Sequence, residues 1–150
     1  MSILIKGCAV LAEGQPDGYL PHQNILIEGN RISRISPESI SREGVDQIID
    51  GRDRLAMPGL INAHTHSLEN LSKATKERVP LELWLLDLFL LEGFSARAIY
   101  LSAMLGAMEM LKTGTTATLD HLALGHDLSP EALDATMQAY ADSGIRAGVA

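Results

Sequence analysis

His64 and His66, separated by Thr65, are the side chains of this sequence whose type and spacing point most directly to chemistry. Extended backbone sends alternate side chains to opposite faces, so both imidazoles project to one side while Thr65 points away. A neutral imidazole nitrogen is a good ligand for zinc and other borderline divalent metals, and two from one rigid strand pre-set half a coordination shell. A bare His-x-His also arises by chance, with the two rings capping a strand through ordinary hydrogen bonds. Context separates these readings, because the pair follows the apolar Leu60, Ile61 and Ala63 and precedes the polar segment from Ser67 to Arg78. A buried strand emerging into a loop is where barrel and open α/β enzymes build their sites.

The elements that must position this pair follow from local pattern. The strand carrying it is predicted to begin after Pro58-Gly59, a turn dipeptide. Upstream, short strands are expected at Ile3-Leu4-Ile5, Asn24 to Glu28, Arg31 to Ile35, Gln47 to Asp50 and Leu55 to Met57. Gly29-Asn30 between the second and third is a strong hairpin signal, because both residue types tolerate the positive φ of a primed turn. Downstream the period changes. An apolar helix is predicted from about Pro80, and a second from the cap Ser95 to the stop Gly114. Within the second, Leu101, Met104, Leu105, Met108 and Leu111 form a three-and-four stripe expected to pack on a sheet, with the methionines as core filler. Thr115 to His121 reads as the next strand. Ser129-Pro130 opens another helix that Gly144 ends, and Ile145 to Ala150 begins a further strand. Strand, helix, strand, helix, strand is the signature of parallel pairing with right-handed crossovers.

The run Pro58-Gly59-Leu60-Ile61-Asn62-Ala63-His64-Thr65-His66 resembles the first barrel strand of the amidohydrolase superfamily of metal-dependent hydrolases. Pro80-Leu81-Glu82-Leu83-Trp84 and the segment Thr113 to His121 are similar to its branch of triazine hydrolases and adenosine-type or oxoguanine-type deaminases. The resemblance covers essentially the whole chain but only the first portion of the family's usual length. It implies an α/β fold: residues 1–57 as the amino-terminal part of a small β-sandwich domain, and residues 58–150 as the first three β/α units of a (β/α)₈ TIM-like barrel, incomplete in this chain. It further implies a divalent metal, Zn²⁺ first and Fe²⁺ as the alternative, held by His64 and His66. Water activated by that metal attacks an sp² carbon and hydrolyses a C–N bond of a small nitrogen heterocycle. In relatives the shell is completed by a histidine on the fifth strand and an aspartate on the eighth, with a histidine on the sixth aiding proton transfer. None of those positions lies in this chain, so no catalytic residue is assigned beyond the metal pair.

Other candidates are weighed against plainer roles. Trp84, the one tryptophan, is either a packed core aromatic or, by its spacing from His66 in the resembled deaminases, a contact for a planar substrate ring. Glu92 lies near where those relatives place a glutamate that binds ribose hydroxyls. Glu69 and Asn70 either touch substrate or lie in a solvated loop. His121 ends a strand near the mouth and is read as lining the pocket, whereas His22 is read as an exposed loop residue of the leader and His126 as a loop residue. A second zinc deaminase class needs His-x-Glu with Pro-Cys-x-x-Cys, which a chain with only Cys8 excludes. No Gly-x-Ser-x-Gly turn supports a serine nucleophile.

Composition bounds the alternatives. Of 150 residues 46% are hydrophobic and 21% charged, which describes a chain able to bury a core. A formal charge of -7 without a basic patch argues against nucleic acid or an anionic membrane as partner. The longest apolar run, Leu81 to Leu91, is about half the roughly 20 residues that span a bilayer. The lone Cys8 fits a cytoplasmic protein. The expected partner is a small heterocyclic substrate, with homo-oligomerisation when full length. Two rival readings stand beside deamination: dechlorination or dealkylamination of a triazine-type ring, and a non-catalytic amino-terminal fragment. A closed barrel takes about 250 residues. The chain therefore reads as the leading part of a longer enzyme, expected to self-associate when isolated and to be inactive alone.

Overall fold

The computed structural model describes residues 1–75, 77–90, 94–122 and 129–150. Glu92 and His126 fall outside them. The chain forms two compact units, Met1–Pro58 and Gly59–Ala150.

The first unit is one five-stranded sheet built on β1 (Ser2–Leu11). β1 pairs antiparallel with β2 (Tyr19–Glu28), which pairs antiparallel with β3 (Arg31–Ser36). On its other side β1 pairs in parallel with β4 (Gln47–Asp50) and β5 (Leu55–Ala56). Leu4, Cys8 and Ile25 are its most buried apolar residues. At the β2–β3 hairpin Gly29 has φ +63° while Asn30 stays at negative φ, so only the first turn residue uses the left-handed region, as in a type II′ turn. His22 lies within β2 and not in a loop. Its φ of 54° falls where the β1–β2 register slips between Cys8 and Val10, the mark of a bulge.

The second unit is α/β. Its parallel sheet runs β6 (Leu60–Thr65), β7 (Thr115–Asp120), β8 (Arg146–Val149), in that order across the sheet. α1 (Leu81–Leu90) and α2 (Ala96–Lys112) lie between β6 and β7, and α3 (Pro130–Ser143) connects β7 to β8. Ser95 and Ser129 cap α2 and α3 by accepting from the N–H of Ala98 and Ala132, each at 3.2 Å. Each such cap stabilises its helix by about 1 kcal/mol. Gly144 closes α3 in the left-handed conformation. A small core gathers Ala107, Tyr140 and Ile145, with Met110, Ala147 and Val149 against them.

Two sequence expectations are corrected here. Among the described residues β6 pairs on one side only, with β7, and is not buried: Leu60 and Ile61 are 51% and 75% exposed. Nor does the large apolar stripe of α2 pack inward. Leu101, Leu105, Met108 and Leu111 are exposed, while Ile99, Ser102, Ala103, Gly106 and Ala107 form the buried face. The reason is distance. α2 sits tightly against α3 and against a 3₁₀ turn at Ser67–Ser72, where a loop was expected. Small side chains permit that approach, and the Asn70 amide lies against Gly106, where a Cβ would stand.

β6 is seated on β7 as closely as sequence permits. A Cβ at Gly59 would overlap the Oγ1, Cγ2 and Cβ atoms of Thr116. Gly59→Ala is therefore expected to lower stability by about 1–3 kcal/mol through overpacking. Thr116→Ala in the same chain should recover most of the loss, because it removes two of the three overlapping atoms. Chemical denaturation of the purified protein checks this, and an unchanged midpoint for Gly59→Ala would contradict the packing.

Candidate metal centre

β6 does not run to its end with regular alternation. Asn62 stands opposite Thr118 and Thr65 opposite Asp120, three steps on β6 against two on β7. The extra residue makes a bulge, which turns the side chains beyond it to a new direction. The N–H of His64, lying in the bulge, is met by Asn62 Oδ1 at 3.3 Å. The Asn62 amide nitrogen reaches Met110 Sδ on α2 at 3.5 Å. Asn62 thus patches the irregularity it begins.

At the bulge and just past it the two imidazoles converge. Their Nε2 atoms are 3.0 Å apart and the rings meet edge to face, with centroids 4.7 Å apart. His66 follows the last residue of β6 but keeps extended backbone, with φ -126° and ψ 96°. Its Nδ1 lies 2.8 Å from the carbonyl oxygen of His121. A carbonyl oxygen only accepts, so Nδ1 carries the hydrogen, and in the neutral ring Nε2 keeps its lone pair. A carbonyl behind a histidine is the usual device for fixing the tautomer and aim of a metal ligand.

The donor set fits a divalent ion as half a shell. Two imidazole nitrogens at about 2.0–2.1 Å from a tetrahedral zinc stand roughly 3.3 Å from each other. The observed 3.0 Å is within a few tenths of that separation. Among the described residues no group of three His, Cys, Asp or Glu side chains is placed to hold an ion. His121 comes close without joining. Its ring stacks over His64 at 6.1 Å and stands edge-on to His66 at 5.5 Å, while its backbone N–H continues the sheet to the carbonyl of Thr65 at 2.8 Å.

Beside His66 opens a recess of about 280 Å³, lined by Thr65, Glu69, Asn70, Ser72, Lys73, Ala74 and Trp84. Trp84 is half-buried against it and not a core residue. Asn70 also borders the recess, although its amide nitrogen is engaged by the Ser67 carbonyl at 2.9 Å. Burial pushes the Glu69 carboxyl above its ordinary range, and the nearby His66 and His64 pull it partly back. Lys73 is paired with Glu109 of α2. The structure thus brings His64, His66, His121, Asn70 and Trp84 into one neighbourhood. Sequence reasoning did not find the bulge, the Asn62 patch or the carbonyl of His121. Main-chain donors and acceptors leave no trace in residue type.

Behind the imidazoles lies a second polar group. Asp120 is wholly buried, with Oδ1 accepting from the Ser67 N–H at 3.0 Å and Oδ2 from the Tyr140 hydroxyl at 2.8 Å. Ser102 Oγ donates to the Ser67 carbonyl at 2.7 Å. Burial, then the Asp120 charge and hydrogen bond, push the Tyr140 phenol well above its ordinary value, with the Ser67 hydroxyl acting weakly the other way. That hydroxyl is buried beside the phenol without a hydrogen bond of good geometry.

Several known proteins resemble this chain. Residues 55–150 match the model of the amidohydrolase family. A 5-methylthioadenosine/S-adenosylhomocysteine deaminase from Dictyoglomus turgidum is 33% identical over 99% of this chain and 33% of its own length. A 5'-deoxyadenosine deaminase from Methanococcus vannielii is 35% identical over 85% of this chain and 29% of its own. Among solved structures, a variant of atrazine chlorohydrolase from Arthrobacter aurescens, complexed with zinc and atraton, superposes with a TM-score of 0.85. It is 31% identical, over 99% of this chain and 35% of that one. An adenosine deaminase from Xanthomonas campestris with bound zinc shares the fold at a TM-score of 0.77 and 23% identity, covering 97% of this chain and 32% of that one. The chain spans about a third of the length of these relatives.

The buried phenol has a pH signature. A group whose folded pKa is raised contributes stability that is whole below its unfolded value, about 10 for tyrosine, and is lost as pH rises through the folded one. Of the three tyrosines, Tyr140 is expected to ionise last and together with alkaline unfolding. Ultraviolet titration of the protein and its Tyr140→Phe variant checks this. Ionisation of Tyr140 near the ordinary value, with the fold intact, would contradict the buried contact.

Proposed function

The chain belongs to the amidohydrolase family, and from that premise we propose that it forms the amino-terminal portion of a metal-dependent amidohydrolase that deaminates a small nitrogen heterocycle. The observation that carries the reading is the convergence of His64 and His66, Nε2 to Nε2, with the His66 tautomer set from behind by a carbonyl. His64 and His66 would hold the ion, most naturally Zn²⁺, the metal in the solved structures of similar chains, with Fe²⁺ as the alternative. A divalent ion bound there supplies acidified water, lowering its pKa from 15.7 to about 7. Two imidazoles are half of a usual set, so further ligands would come from outside the described residues.

The chain's own residues do the rest by position. His66 keeps its lone pair turned to the ion through its Nδ1 hydrogen bond. The indole of Trp84, on the wall of the recess, suits the face of a planar heterocycle. Asn70 borders the same recess, His121 stands edge-on to His66, and Glu92, outside the described residues, is a further candidate for substrate hydroxyls on the family resemblance alone. In this reading β6, β7 and β8 are the first three strands of a (β/α)₈ barrel, and the five-stranded sheet of Met1–Pro58 is part of a β-sandwich. No helix among the described residues is long and apolar enough to cross a membrane. The full enzyme is proposed to be cytoplasmic and homo-oligomeric.

A second reading, hydrolytic removal of chloride or an alkylamine from a triazine, is favoured by the superposition on atrazine chlorohydrolase. The same activated water serves either leaving group. Elemental analysis of the full-length protein tests the metal: one zinc or iron per chain is expected, lost in His64→Ala with His66→Ala. Unchanged stoichiometry in that double variant would refute the assignment. Ammonia release from an adenine nucleoside, set against chloride release from a chlorotriazine, separates the two reactions. Metal binding with neither product would refute both of these reactions.

A further inference from the structure

Residues 65–67 and 120–121 are laced together by three hydrogen bonds in succession. The His121 N–H donates to the Thr65 carbonyl at 2.8 Å, His66 Nδ1–H to the His121 carbonyl at 2.8 Å, and the Ser67 N–H to Asp120 Oδ1 at 3.0 Å. His66 sits in the middle of this ladder, yet only one of its bonds is made by a side chain from β7. That side chain is the wholly buried Asp120, and its other oxygen is held by the Tyr140 hydroxyl on α3 at 2.8 Å. Both ends of the carboxylate are therefore occupied, which removes its freedom to turn. The backbone on the C-terminal side of His66 is pinned through Ser67. The carbonyl that sets its tautomer belongs to the residue next to Asp120.

We propose that Asp120, held by Tyr140, is a positioning residue for His66, reaching through the Ser67 N–H to hold that ring on the His121 carbonyl and so fix which of its nitrogens faces His64. The inference rests on the metal-centre reading above but concerns the ring's geometry before any ion arrives. Asp120 touches neither ring. A hydrogen bond from Ser67 to an ionised carboxylate is charge-assisted and more directional than one to a neutral acceptor. A partner bonded directly to a metal ligand typically accounts for about 10–100-fold in metal affinity, and Asp120, one bond further back, is expected to account for the lower end of that range.

Two readouts on the full-length protein test this. The first is nitrogen-15 resonance of the imidazoles in metal-free protein, where His66 is expected as the Nδ1–H tautomer. In Asp120→Asn that ring should become a mixture. The second is Zn²⁺ affinity by competition with a chromophoric chelator, expected to fall about tenfold in Asp120→Asn. Tyr140→Phe keeps the ring packing and removes one bond, so it should weaken zinc by about fivefold, and it carries the test if Asp120→Asn fails to fold. Lower thermal stability in both variants, with His66 tautomer and zinc affinity unchanged, would overturn the proposal while leaving the metal centre standing. A tautomer that changes in a protein binding no zinc at His64 and His66 would uphold the positioning role and overturn the metal reading instead.

Discussion

One hydrogen bond, from His66 Nδ1 to the carbonyl oxygen of His121 at 2.8 Å, sets the chemical character of the site. An imidazole has two nitrogens and, when neutral, one hydrogen. Wherever that hydrogen is held, the opposite nitrogen becomes a lone pair. Here the held side faces the His121 carbonyl, just past the end of β7, and the free side faces His64. Without the carbonyl the two rings would be a pair of adaptable donors and acceptors. With it, one of them presents an Nε2 lone pair toward the other ring before any cation is present.

The rest of the Gly59–Ala150 unit can be understood as the means of bringing that carbonyl and that ring together. Parallel pairing of β6 with β7 places residues 65 and 120 side by side, and a one-residue bulge turns the end of β6 so that both rings face the same way. The close seat of Gly59 against Thr116 sets β6 on β7 at the strand's start. The small face of α2 lets Ser102 grip the carbonyls of Ser67 and Leu68, so that the chain beyond His66 is tied to a helix and not left as a loop. Large residues on that face would hold the helix away. The exposed stripe Leu101, Leu105, Met108 and Leu111 is the counterpart of this arrangement.

Much of the scaffold could be read from sequence because it depends on local rules. Ser95, Ser129 and Gly144 mark helix ends through donors and dihedral angles that those residue types satisfy alone. The Gly29-Asn30 hairpin is equally local, though only Gly29 takes the left-handed angle. His64 and His66 could be paired because a single residue separates them, although the bulge that brings them together has no sign in the sequence. Features that depend on another segment were not legible. The inward face of α2 was assigned by hydrophobic size, but Ser67–Ser72 and α3 lie so near that small residues win. In sequence Asp120 is one more residue of a threonine-rich strand ending at His121, and its burial between Ser67 and Tyr140 is a product of tertiary structure. His22 looked like a loop residue because a bulge has no compositional sign.

The convergence of two imidazoles on one point is the claim on which the functional account stands, and anomalous diffraction from zinc-loaded crystals of the full-length protein measures it directly. The account predicts a single strong peak about 2.0–2.1 Å from Nε2 of both His64 and His66, with His66 Nδ1 still on the His121 carbonyl. Zinc density elsewhere, or rings turned apart with no ion between them, would contradict it.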